Sequence, residues 1–93
     1  MPLKFTWNER KRRINLETHH LDFADAHSVF AGATFTFEDD RIDYGEQRFI
    51  TIGMLKNVVV VITHLESGDD VRLISMRKAS KHEQEIFFRG FAD

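Results

Sequence analysis

The stretch Val71-Arg72-Leu73-Ile74-Ser75-Met76-Arg77-Lys78-Ala79-Ser80-Lys81-His82-Glu83 changes character halfway along. Its first half alternates as a strand does, and at Ala79 or Ser80 the pattern becomes that of a helix. This junction is expected to bring together Arg77, Lys78, Lys81, His82 and Glu83. Arg and Lys bind phosphate, whereas His and Glu transfer protons near neutral pH. The combination is compatible with phosphodiester chemistry on RNA, but the residues alone support only a small α+β domain with a polar corner.

The composition is that of a small domain with one hydrophobic core. The 93 residues are 42% hydrophobic and include nine Phe, and the one Pro lies at position 2. No Gly/Ser-rich linker interrupts the chain, so we expect a single domain over residues 1–93. The absence of Cys excludes disulfides and thiolate metal sites.

The apolar segments are too short for export or membrane insertion. The first eight residues lack the apolar stretch of a secretory signal. The longest apolar run, residues 58–62, is too short to span a bilayer. We therefore expect a soluble, cytoplasmic protein.

The charges are distributed unevenly along the chain. The net charge of −2 argues mildly against a nucleic-acid-binding protein, but residues 1–21 carry +3, residues 22–70 carry −7 and residues 71–93 carry +2. If the fold brings the two ends together, they form a basic face and leave an acidic one that suits a basic protein partner. The alternative is that both are ordinary solvated surface.

The N-terminal half predicts a strand and two helices. Residues 4–7 form a short strand, and Asn8 is a good N-cap for a helix over residues 9–19. Asp22 resembles a second N-cap, and apolar residues at helical spacing extend from it to about Ala31. Gly32 ends this second helix.

The remainder predicts strands and one final helix. Strands are expected at 34–37, 48–55, 58–65 and 71–76, with tight connections at 56–57 and 66–70. A helix over about 80–88 should pack Ile86 and Phe87, with Phe91 beyond, on the sheet. Short turns between the later strands imply a meander. The predicted fold is α+β, with an antiparallel sheet of about four to five strands, two N-terminal helices and one C-terminal helix.

Four pieces of sequence, in order, resemble a known family. They are Phe5-Thr6-Trp7-Asn8 with Lys11 and Asn15, the helix end from Asn15 to Phe23, Gly45-Glu46-Gln47-Arg48-Phe49 with Ile52-Gly53, and Arg72 to Ala79 with Lys81 and Glu83. Together they resemble the BrnT-type toxins of bacterial type II toxin–antitoxin systems over nearly the whole length. One departure is that the family's Lys-His-Gly is here Thr18-His19-His20, which removes an expected phosphate contact and places a bulkier residue at the helix end.

The resemblance implies a fold, an activity and a partner. BrnT-like proteins have a compact RelE-like ribonuclease fold and cut RNA without a metal ion or other cofactor. A BrnA-like antitoxin, which carries a DNA-binding domain, neutralises them. The resulting heterotetramer represses its own operon, so operator DNA is contacted only through the antitoxin.

Metal-free RNA cleavage uses the 2′-hydroxyl as nucleophile and needs a base, an acid and cations that stabilise the developing charge. His19 is the preferred base or acid, because histidine changes protonation near neutral pH. Its alternative role is to end a helix, where a positive charge favours the dipole. Glu46 is the second proton-transfer candidate, and its alternative is an ion pair with Arg48.

The cationic candidates are two arginines and two lysines. Arg48 and Arg77 are the predicted phosphate clamps, because a guanidinium binds phosphate in a bidentate way. Their alternative is salt bridges with Glu46 and Glu83. Glu83 is a catalytic candidate that could instead stabilise the start of the last helix. Lys78 and Lys81 could bind RNA electrostatically or be solvated.

Two aromatic residues and one basic run are further candidates. Trp7 and Tyr44 could stack a base, although Trp7 also fits a core position. The run 10–13 could follow the RNA backbone, contact the antitoxin or be solvated. The His residues lack metal-ligand spacing. The rival functions are a catalytically inactive binding module and a metal-dependent phosphodiesterase.

Overall fold

The computed structural model describes residues 2–41, 43 and 45–91. Its elements, in chain order, are β1 (Lys4–Thr6), α1 (Glu9–His19), a 3-10 turn (Phe23–Asp25), α2 (Ala26–Ala31), β2 (Thr34–Asp39), β3 (Arg48–Leu55), β4 (Val58–Ser67), β5 (Asp70–Lys78) and α3 (Lys81–Gly90). The α+β class and the order of elements are confirmed. Within the described ranges, no helix has the length and apolar character needed to cross a bilayer.

The five strands form one sheet in the order β1-β5-β4-β3-β2. Strands β2 to β5 make the predicted antiparallel meander. The sheet is nevertheless mixed, because β1 pairs with β5 in parallel, Lys4 opposite Asp70. The expectation of a wholly antiparallel sheet was therefore wrong at this edge. Alternation within residues 4–7 indicates a strand but does not say which neighbour it joins.

Asn15 continues the sheet edge where β1 ends. Its side-chain amide accepts a hydrogen bond from Met76 N at 3.0 Å and donates to Met76 O at 2.8 Å. It also donates to Leu21 O at 3.0 Å. The side chain thus satisfies the backbone of β5 as a neighbouring strand would, and it anchors α1 beside the sheet.

Two apolar clusters cover the two faces of the sheet. On the α2 face, Phe23 and Val29 pack against Val60, Ile62 and Met76. On the α3 face, Phe87 packs against a second cluster, whose other members are Ile50, Ile52, Val59, Val61 and Ala79. The middle of β4 contributes to both clusters, as its continuous apolar run predicted.

The ends of α1 explain its limits. The Asn8 side chain accepts from the backbone N–H groups of Arg10 and Lys11, which confirms the predicted N-cap. His20 follows the helix with φ of +59°, a left-handed conformation that favours glycine. His20 therefore occupies a position whose backbone conformation favours Gly, the residue that the family's Lys-His-Gly motif has there.

Candidate active site

Arg77 and Glu83 join the end of β5 to the start of α3. Arg77 Nη1 and Nη2 lie 2.7 and 2.8 Å from the two Glu83 carboxylate oxygens, so the pair is bidentate. Ser80 and Glu83 also form a capping box, in which Ser80 N donates to Glu83 Oε1 at 2.8 Å. The Arg77 hydrogen bonds lower the pKa of Glu83 to about 2, and those with Glu83 raise the pKa of Arg77. The sequence alternative of a salt bridge is confirmed for this pair.

Arg48 lies on the same face of the sheet at the start of β3. Its Nε is 3.4 Å from Glu46 Oε2, so the second predicted salt bridge is also present. Asp39 faces Arg48 across β2 and β3 and binds Arg41 at 2.8 Å, with its own side chain only 2% exposed. The positive charge of Arg41 opposes the rise in the Arg77 pKa, as expected of two guanidinium groups in one region.

The α3 face is covered at one end and open at the other. The row under the helix runs Phe35, Ile52, Val61, Arg77 by strand register. The next row, Phe37, Ile50, Thr63, Ser75, ends on an aromatic ring that is 48% exposed. Arg77 therefore lies where the apolar cover gives way to a more polar, accessible surface.

His19 lies at the edge of the sheet beside β5. It ends α1 and lines a hollow of about 300 Å³ together with Lys11, Asn15 and Ser75. Ser75 precedes Arg77 by two residues and shares its face of β5, because alternate strand residues point the same way. The structure thus places His19 next to the strand that carries Arg77.

Glu46 lines a different hollow. This second hollow, of about 440 Å³, includes Thr6, Leu65 and Arg72. His19 is not among its lining residues, and Glu46 is not among those of the first hollow. The two predicted proton-transfer residues therefore line different hollows.

The other predicted RNA contacts are dispersed. Lys78 pairs with Val60 and so belongs to the α2 face by register, whereas Lys81 is exposed at the start of α3. Trp7 packs on the α2-face cluster, with its ring 6.3 Å from that of Phe23. This placement matches its alternative reading as a core residue, away from the Arg77 face. Tyr44 lies outside the described residues.

One member of the basic run has a structural partner. Arg12 Nε and Nη2 donate to the Asp22 carboxylate at 2.7 and 3.0 Å, and Arg12 Nη1 binds Glu9 at 2.5 Å. These contacts lower the pKa of Asp22 and raise that of Arg12. Arg12 therefore connects α1 to the turn that follows it, whereas Arg10, Lys11 and Arg13 are exposed.

A buried histidine was missed by sequence reasoning. The hydroxyls of Thr36 and Thr51 are 2.7 Å apart, and Thr51 Oγ1 is 2.7 Å from His64 Nε2. His64 is fully buried on the α2 face, where Phe30 and Phe49 pack against its ring. Burial lowers its pKa to about 4. The sequence signal that could have identified His64 as a core residue is its position on β4, because alternation along that strand turns its side chain towards the core.

Arg72 was also missed, and a β-bulge is the reason. Simple alternation puts Arg72 and Arg77, five residues apart, on opposite faces of β5. The register shifts at this point: Thr63 pairs with Ser75 but His64 pairs with Leu73, so Ile74 is extra. Arg72 therefore lies on the same face as Arg77.

Metal-ligating side chains are not clustered in the described part of the chain. No group of three or more His, Cys, Asp or Glu is placed to hold an ion there. Acid–base and electrostatic groups are what this site presents: an imidazole at the β5 edge, carboxylates, and arginines on one face.

Comparisons with known proteins agree with the fold and the motifs. Residues 7–83 match the family described as the ribonuclease toxin, BrnT, of type II toxin–antitoxin systems. The 1.1 Å crystal structure of the Brucella abortus ribonuclease toxin, BrnT, is similar, with a TM-score of 0.70 and 30% sequence identity. The alignment covers 85% of this chain and 99% of that one. A search of curated proteins gave no match.

Proposed function

Because the chain belongs to the BrnT family of type II toxin–antitoxin ribonuclease toxins, we propose that it is an endoribonuclease that cleaves RNA without a metal ion. The observation that best supports this activity is the shared face of Arg48 and Arg77. Guanidinium groups on one open face of a sheet suit a polyanionic strand lying across it.

The roles follow from the demands of the reaction. A base removes the proton of the 2′-hydroxyl, an acid protonates the leaving 5′-oxygen, and cations stabilise the charge on the phosphoryl oxygens. His19 and Glu46 are the proposed proton-transfer pair, and substrate binding would have to bring both to one linkage, since they line separate hollows. Arg77 and Arg48 are the proposed phosphate clamps. Glu83 is a positioning residue, because its carboxylate is already bonded to Arg77 and Ser80.

The proposed biology follows from the family. The chain would act as one toxin domain over residues 1–93 in the cytoplasm, where a BrnA-like antitoxin would inhibit it. The two would form a heterotetramer that binds operator DNA through the antitoxin and represses the operon. Co-expression with the neighbouring open reading frame tests this: the products should co-purify, and toxicity of the chain alone should disappear.

The activity is tested by RNA degradation in excess chelator. Purified wild type should cleave RNA, whereas Arg77→Ala and His19→Ala should lose at least about a hundredfold in rate, the cost of removing one stabilising group. Arg89→Ala, an exposed change at the far end of α3, is the control and should cleave normally. Circular dichroism should show that all variants fold. Unchanged cleavage by both site variants would contradict the proposal.

A second function, a catalytically inactive binding module, is favoured by one observation. Arg77 and Arg48 are both paired with carboxylates, and the proposed base and acid lie in separate hollows. The same assay separates the two proposals. A module would bind its partner or RNA yet cleave nothing in either chelator or added divalent metal, and cleavage only with added metal would favour a metal-dependent phosphodiesterase instead.

A further inference from the structure

Arg72 differs from the other arginines on or beside the α3 face. Arg77 is paired with Glu83, Arg48 with Glu46, and Arg41 with Asp39. Within residues 2–41, 43 and 45–91, Arg72 has no ion pair or side-chain hydrogen bond, and it is exposed. A phosphate bound by a paired arginine must compete with its carboxylate, whereas a phosphate at Arg72 meets a guanidinium with all its donors available.

The bulge at Ile74 is what gives Arg72 its place. The pairing of Leu65 with Arg72, and of Val61 with Arg77, sets both arginines on the α3 face. Core membership gives the same result independently, since the buried residues of β5 on the opposite face are Val71, Leu73 and Met76. The extra residue falls between Leu73 and Met76, where the alternation must be interrupted.

The two arginines lie at opposite ends of the open surface. Four strand steps place the Cα atoms of Arg72 and Arg77 roughly 13 Å apart, with Ser75 between them. Ser75 also lines the hollow that contains His19. A strand of RNA that contacts both arginines would therefore pass the residues proposed to carry the chemistry.

We propose that Arg72 is a phosphate-binding residue. It would bind a phosphate of the RNA strand at a point distant from the scissile linkage. This assignment rests on the proposed function, because it names a second contact for the same substrate. Glu66 and Asp70, which form an acidic rim, line the same hollow as Arg72. The negative charges of this acidic rim would repel a phosphate group that moved deeper into the hollow. The RNA strand would therefore follow the arginines and end its contact with the protein at the rim.

The test separates binding from cleavage. A fully 2′-O-methylated RNA oligonucleotide cannot be cut through its 2′-oxygen, so its affinity is measured by fluorescence anisotropy over a series of salt concentrations. Arg72→Ala should weaken binding about fivefold to tenfold at low salt and reduce the slope of log affinity against log salt by about 0.7, the value for one contact with a single strand. Arg72→Lys should keep the slope, and Arg89→Ala should match wild type.

Two further measurements make the result decisive. Asp70→Asn, at the acidic rim, should raise the affinity, and on cleavable RNA Arg72→Ala should raise KM more than it lowers kcat. The proposal fails if Arg72→Ala has the same affinity and salt slope as Arg89→Ala. If wild type binds through Arg72 but never cleaves, the ribonuclease proposal fails and the Arg72 assignment stands. If wild type cleaves and Arg72→Ala binds normally, the ribonuclease proposal stands and the Arg72 assignment fails.

Discussion

In the middle of the α2 face two polar side chains are buried and bonded to each other, whereas on the α3 face the arginines are partly or fully exposed and, apart from Arg72, are in ion pairs. Thr51 and His64 are the buried pair, and the hydroxyl of the more exposed Thr36 bonds to Thr51. The Arg77–Glu83 pair represents the other arrangement, with side chains 40% and 23% exposed. The first arrangement keeps charge out of the core. The second keeps guanidinium groups where a large anion can reach them.

The largest expected effect of this difference is on the pH dependence of the free energy of unfolding. His64 has a folded pKa of about 4, below its ordinary value of 6.5, because burial disfavours its charged form. Below pH 6.5 the unfolded chain binds a proton at His64 that the folded chain does not bind. The contribution of His64 to the free energy of unfolding is therefore complete above pH 6.5 and is lost as the pH falls to 4. The loss is about 3 kcal/mol at most. Urea unfolding from pH 7 to 4 measures it.

A histidine-to-glutamine comparison isolates this contribution. His64→Gln should lose much less stability than wild type between pH 7 and 4, whereas His27→Gln, an exposed change on α2, should behave as wild type does. Parallel curves for wild type and His64→Gln would mean that His64 is not the group that resists protonation.

Asn15 tests whether the edge of the sheet depends on a single side chain. Asn15→Ala leaves the buried backbone groups of Met76 without partners, so the free energy of unfolding should fall by about 2 kcal/mol. Glu17→Ala, on the exposed side of the same helix, is the matched control and should change it by less than about 0.5 kcal/mol. Equal effects in urea unfolding would show that the amide does not anchor α1.

Glu83 tests whether ion pairing on the α3 face positions Arg77 or masks it. Glu83→Gln keeps a residue type that suits a capping box but removes the carboxylate, so stability at pH 7 should fall by about 1 kcal/mol. The low pKa of Glu83 stabilises the fold above about pH 4.5, and this stabilisation is lost as the pH falls towards 2. Glu83→Gln should therefore lose less free energy of unfolding than wild type over that pH range.

Activity and binding of the same variant distinguish the two roles. If Glu83 positions Arg77, Glu83→Gln lowers kcat and leaves RNA affinity nearly unchanged. If it masks the guanidinium, affinity for the methylated oligonucleotide rises instead. Glu85→Gln, an exposed change on the same helix, controls for the loss of one negative charge.

His20 should give the smallest effect, because it lies outside both faces. Its φ of +59° costs little for glycine and more for other residues, so His20→Gly should raise the free energy of unfolding by about 0.5 kcal/mol. Thermal unfolding at pH 7 measures the gain, and His82→Gly, inside α3, should instead destabilise. A loss of stability in His20→Gly would show that the imidazole makes a compensating contact.

Much of the fold could be predicted because its signals are local. Alternation and short turns were sufficient for β2 to β5, and the change from strand to helical pattern at Ala79 or Ser80 indicated the start of α3. The parallel pairing of β1 could not be read, since its partner lies more than sixty residues away. The Arg77–Glu83 pair was accessible as an alternative because both residues flank one junction.

The remaining site features depend on register and burial. The side of β5 that bears Arg72 depends on one extra residue at Ile74, which alternation cannot reveal. His64 shares no metal-ligand spacing with the other histidines, and its inward position on β4 indicates a core residue. Trp7 fitted a stacking role by type, but its packing on Phe23 depends on where β1 joins the sheet.

The amide of Asn15 also bears on how the protein behaves in crowded solution. Unpaired strand edges are templates on which other chains add strands and aggregate. With both backbone groups of Met76 occupied, the middle of β5 offers no such template. Loss of this one amide would expose part of the β5 edge in addition to the edge strands β1 and β2, so insolubility on overexpression should accompany the lower stability of Asn15→Ala.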